Sequence, residues 1–131
     1  MINPPQNRET YDRFHYSAAT RVGDMIWVSG QVGLDPATHT LGQGMEAQSR
    51  LAFENLKTVL AAAGATMADI VEIVTFHLDM HGSDIQAFVK IKDEYVPDRY
   101  PAWTAVGVTH LVNPDYLVEI RAVAVAHCGA G

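Results

Sequence analysis

The 131-residue sequence contains one cysteine, Cys128, so no disulfide can close within the chain, which fits a reducing compartment. It also lacks any cluster of Lys or Arg. Nine basic residues are scattered from Arg8 to Arg121 against fifteen acidic ones, for a formal charge of −6. Nonspecific nucleic-acid binding needs a concentrated basic footprint, so no nucleic-acid partner is expected. No apolar run approaches a membrane span, and the opening Met1-Ile-Asn-Pro-Pro-Gln-Asn-Arg-Glu holds no apolar signal core. The expectation is a cytoplasmic protein with no membrane partner. Cys-x-x-Cys pairs, a Gly-x-x-x-x-Gly-Lys phosphate loop and a Gly-x-Ser-x-Gly elbow are all missing. Ser29 has no adjacent base, which argues against a serine hydrolase, and no cofactor is expected.

What is present is apolar. The chain is 48% hydrophobic and 18% charged, enough for one real core but small for a self-contained catalytic cleft. A site between copies of the chain becomes an attractive alternative. Residues 1–12 are polar and read as an extended N-terminal arm, 13–127 as the domain and 128–131 as a tail. His15 to Arg21 and Met25 to Ser29 read as strands joined in a hairpin at Gly23-Asp24. The stretch 30–42 is rich in turn residues and reads as a loop. Met45, Ala52, Leu56, Val59, Leu60 and Ala63 recur at helical spacing, with Gly64 placed to stop the helix.

Val71 to Met80 reads as a strand. Ser83 with Gln86 reads as an N-cap opening a helix that Pro97 ends. Strands at about 102–109 and 115–126 follow. The order is β-β-α-β-α-β-β, a mixed α/β (α+β) domain with both helices on one face of the sheet. The strands are apolar on both faces, so a second subunit is the simplest cover for the other face.

The last strand, otherwise apolar, carries Glu119 and Arg121 two residues apart and hence on one face. A carboxylate there is costly unless paired or used. Two readings stand: an ion pair with Arg121, or a partly buried base that positions or deprotonates water. Tyr16 offers a phenolic hydroxyl, or merely a packed aromatic with a polar tip. Trp103 is either packing or the wall of a ligand pocket. His77, Asp79 and His81 share a face if their strand continues. That set resembles metal ligands, but all three lie on one element with no fourth partner, and the other reading is a polar solvent-facing edge. No metal is expected.

Several segments together resemble the RidA/YjgF family, also called the Rid or L-PSP endoribonuclease family. They are Met25-Ile-Trp-Val-Ser-Gly-Gln31, Ala61-Ala-Ala-Gly64, Asp69-Ile-Val-Glu-Ile-Val-Thr-Phe76, Tyr100-Pro-Ala-Trp-Thr-Ala-Val-Gly-Val108 and Val118-Glu-Ile-Arg-Ala-Val-Ala-Val125. The resemblance runs from about residue 15 to 126. It implies a chorismate-mutase-like fold and a homotrimer with small-molecule sites in clefts between subunits. It further implies hydrolysis of reactive imines and enamines such as 2-aminoacrylate to keto acids and ammonia. Carried over by position, Glu119 orients water, Tyr16 contributes its hydroxyl from the first strand, and Gly30 and Ala105 offer backbone contacts. The family's carboxylate-gripping arginine falls on Trp103. An indole cannot pair with a carboxylate, and losing a charge-assisted contact costs about 1.5–3 kcal/mol. Arg121 or Arg99 is the substitute cation the sequence offers. An asparagine of some members falls on Val89. The resemblance thus implies a hydrolase of atypical substrate choice, and the alternative is a non-catalytic trimer that binds a small metabolite. The RNA-cleaving role historically attached to the family finds no support in this acidic chain.

Overall fold

The long helix and the strands follow the apolar periodicity closely. The computed structural model describes residues 1–130. Its elements are α1 (Arg8–Phe14), β1 (Ala19–Val22), β2 (Met25–Val32), β3 (Leu34–Asp35), β4 (Thr40–Leu41), α2 (Gly44–Ala62), β5 (Ile70–His77), α3 (Ser83–Tyr95), β6 (Ala102–Gly107) and β7 (Val118–Val125). Five strands form one sheet in the order β1-β2-β7-β5-β6. Only β5 and β6 pair in parallel; the other neighbours are antiparallel. The sheet is therefore mixed. The β3–β4 pair is a separate small ribbon in the turn-rich stretch.

The helices α2 and α3 cover one face. Ile26, Val28, Ile73, Val118, Ile120, Ala122 and Ala124 of the sheet meet Ala52, Phe53, Leu56 and Leu60 of α2 and Phe88 and Ile91 of α3. Phe53 stacks on Phe88 at 5.7 Å and on Tyr95 at 5.2 Å between ring centroids, which ties α2 to α3. The opposite face carries Met25, Trp27, Val74, Phe76 and Val106, and no element of this chain's helical layer covers it. Apolar residues thus line both faces, as the strand composition predicts.

Gly64 takes a left-handed φ of +86°, and α2 stops two residues before it. The helix end is also held from outside. Arg21 donates from Nη1 to the carbonyl of Ala63 at 2.7 Å, from Nε to that of Gly23, and from Nη2 to Asp24. One guanidinium thus joins the β1–β2 turn to the end of α2.

Four details depart from the sequence reading. The first residues are not simply extended: a helix runs over Arg8–Phe14, while Ile2 bridges to Ala19 and extends the sheet past β1. The first strand begins at Ala19 rather than His15, because His15 adopts a left-handed conformation (φ +60°) that ends α1. The strand β2 runs on to Val32 through the presumed loop. Ser83 does not cap α3; Gly82 holds the cap position, with φ +69° and no side-chain bond. The tail is fastened: a turn at Cys128–Ala130 places the Gly129 amide 2.9 Å from Asp69 Oδ1.

Candidate active site

Glu119 lies in the middle of the sheet, opposite Val32 on β2 and Phe76 on β5. Its carboxyl rests on the backbone of Gly30: a Cβ built there would stand 2.6 Å from Glu119 Cδ and 2.7 Å from Oε1. The cause is a β-bulge. Between Val28 and Gln31 the β2 register slips by one residue against β7, and bulges re-aim neighbouring side chains. Half-buried, the carboxyl is pushed above the usual carboxylate range by loss of water.

Arg121 shares this face, paired opposite Val74. Among the described residues, however, no ion pair joins it to Glu119. Alternate residues of a strand are about 7 Å apart with parallel side chains, so the in-strand pair does not close. Glu119 thus has no cationic partner among the described residues.

Tyr16 sits in the segment between α1 and β1, not on the first strand, and is 50% exposed. Partial burial, then the negative charge of Glu119, then Tyr116 raise its phenol above the ordinary value, so its hydroxyl remains a donor. Tyr16 and Gly30 line a cleft of about 670 Å³ whose other walls include Asn7, Phe14, Val112 and Tyr116. Asn7, Glu9, Thr10 and Phe14, from α1 and the residue before it, therefore line this cleft. Sequence reasoning missed that, along with Tyr116, which follows the Asn113-Pro114-Asp115 turn.

Trp103 lies elsewhere. The parallel register sets Trp103 beside Ile73 and Ala105 beside Thr75, on the helix-covered face, whereas Glu119 faces the open side with Phe76. The indole Nε1 donates to Thr75 Oγ1 at 2.9 Å, and the ring leans on Phe88 at 5.8 Å. One chain therefore brings Glu119, Tyr16 and Gly30 together but holds Trp103 and Ala105 apart from them. Arg99 donates to the Gly129 carbonyl, and Val89 packs against the core. The cation beside Trp103 is instead Lys92, with Nζ 5.2 Å from the indole centroid and 5.8 Å from that of Tyr100.

His77, Asp79 and His81 do not converge. The strand ends at His77, which is fully buried with Nε2 2.6 Å from Thr75 Oγ1 and its ring edge-on to Phe88. Burial pushes its pKa down. Asp79 instead accepts from the His81 amide in a local turn. His77 is thus a core residue, and neither the metal set nor the solvent-facing edge describes it.

The family model described as endoribonuclease L-PSP matches residues 8–126. The RutC family protein YjgH of Escherichia coli K12 is 41% identical over 122 residues, covering 92% of each chain. A solved structure of a YjgH protein superposes with a TM-score of 0.83 at 39% identity, over 95% of this chain and 94% of that one. A 2-iminobutanoate/2-iminopropanoate deaminase of Dermatophagoides farinae is 32% identical over 111 residues, 84% of each chain. The crystal structure of E. coli TdcF with bound serine gives a TM-score of 0.77 at 30% identity, over 84% of this chain and 87% of that one.

Proposed function

The chain belongs to the endoribonuclease L-PSP family, and from that membership and the site geometry we propose that it hydrolyses reactive imines and enamines. The observation that carries the reading is Glu119: half-buried, laid over Gly30, without an ion-pair partner among the described residues, and electrostatically coupled to the Tyr16 phenol. A carboxylate of raised pKa is a better base. In the reaction, Glu119 takes a proton from water as its oxygen bonds to the imine carbon. The imine nitrogen gains one proton as the carbinolamine forms. Glu119 then returns its proton to that nitrogen while the carbinolamine hydroxyl gives up its own to solvent, so that the C–N bond breaks, ammonia leaves and a carbonyl remains. Tyr16 donates to the nitrogen or to the developing oxygen.

The working unit of this proposal is a homotrimer. Met25, Trp27 and Val106 lie on the sheet face opposite the helices and stay between about a third and a half exposed, a surface suited to a second copy of the chain. Because Trp103 and Ala105 face away from Glu119 in one chain, a cleft using both draws them from adjacent subunits. Support comes from relatives: one is named an imine deaminase, and one binds serine.

The test generates 2-aminoacrylate or 2-iminobutanoate in situ and follows ammonia release with and without the protein. Acceleration that disappears in Glu119→Gln is the expected result. No acceleration with any imine, together with stabilisation by small metabolites in thermal-shift assays, would favour the non-catalytic binder.

A further inference from the structure

We propose that Lys92 is the specificity-determining cation of this site, accepting the carboxylate of an imino or enamino acid at the α3–β6 edge. The proposal rests on the composite cleft described above and names its substrate class. The Lys92 side chain is only 12% exposed, unusual for lysine, and its ammonium lies within cation–π distance of both Trp103 and Tyr100. It belongs to the last turn of α3, where the helix dipole favours a positive charge.

Its one carboxylate partner among the described residues is Asp93, 3.0 Å away and 58% exposed. Neighbouring residues on a helix do not face each other, and such solvent-side pairs contribute little. An incoming carboxylate therefore competes against a weak partner. Other groups at this edge are already engaged. The Trp103 N–H is donated to Thr75, so the indole offers a ligand only its ring. Arg99 serves the Gly129 carbonyl. Arg121 lies on the other sheet face, and Lys90, 63% exposed, is near Glu46. The indole holds Lys92 in place, and Lys92 carries the charge that the indole lacks. Neutral imines gain nothing from this corner.

The test uses the full chain and 2-oxobutanoate, the keto acid of an imino substrate, with neutral 2-butanone as control. Binding is followed through the Trp103 indole N–H resonance, assigned with Trp103→Phe. The acid should shift the resonance and the ketone should not. Lys92→Met should weaken binding by about tenfold or more, Lys92→Arg should restore most of it, and Asp93→Asn should tighten it. Thermal melting of each variant checks folding. An unshifted resonance in the unsubstituted protein, or equal affinity in a folded Lys92→Met, overturns the proposal. So does a misfolded Lys92→Met joined with an Asp93→Asn that does not tighten. Imine hydrolysis whose KM is indifferent to Lys92→Met would sink this inference and leave the deaminase reading standing. Lys92-dependent binding without hydrolysis would do the reverse.

Discussion

The carboxyl of Glu119 occupies the space where any side chain at residue 30 would begin, 2.6 Å from a Cβ built on Gly30. The clash is with the end of a flexible side chain, not with backbone. Gly30→Ala should therefore fold and melt close to the parent while its Glu119 carboxyl is displaced. Imine hydrolysis should fall about tenfold or more, since small displacements at a reacting centre are expensive. Paired melting curves and ammonia-release rates check this.

Removing the charge tests the Glu119–Tyr16 coupling separately from turnover. In Glu119→Gln the negative charge that helps raise the Tyr16 phenol is gone, so Tyr16 should titrate at lower pH than in the parent. Ultraviolet difference titration against Tyr16→Phe isolates this phenol. Loss of a general base should lower the hydrolysis rate by about a hundredfold or more.

His77 makes stability depend on pH. Its folded pKa lies below the ordinary value of 6.5 because burial disfavours the cation. Above 6.5 both states are neutral and the contribution is complete. As pH falls below 6.5 the unfolded chain takes up a proton that the folded chain refuses, so stability drops. Melting temperature should decline from pH 7 toward pH 5, and less steeply in His77→Phe.

Thr75 holds two side chains at once, accepting from Trp103 Nε1 and bonding His77 Nε2. Thr75→Val preserves shape but takes the partner from both nitrogens. It leaves His77 Nε2 stranded in the core, where His77 Nδ1 is already without a partner among the described residues, while the half-exposed indole N–H can turn to water. The cost should be about 1–3 kcal/mol, read from denaturant unfolding. The Trp103 indole resonance should broaden or move with it.

Much of this was legible in the sequence. The α2 stripe from Met45 to Ala63 could be read because a single period places every one of those residues in the core. Glu119 stood out because strand alternation fixes its face whatever the neighbours are. Trp103 stood out as well, but its placement did not, because its face depends on β6 pairing in parallel with β5, a register that no local pattern encodes. Lys92 was hidden for a related reason: its partners Trp103 and Tyr100 come from a separate segment. Tyr16 was assigned to a strand because the left-handed turn at His15 leaves no mark in composition.

Arg21 sends hydrogen bonds in three directions from one planar group, to Gly23, Asp24 and the end of α2. A lysine there has one nitrogen and could not serve acceptors so widely spread. The hairpin turn and the last turn of the long helix, far apart along the chain, are thus soldered at a single joint. A strain that opens one must loosen the other.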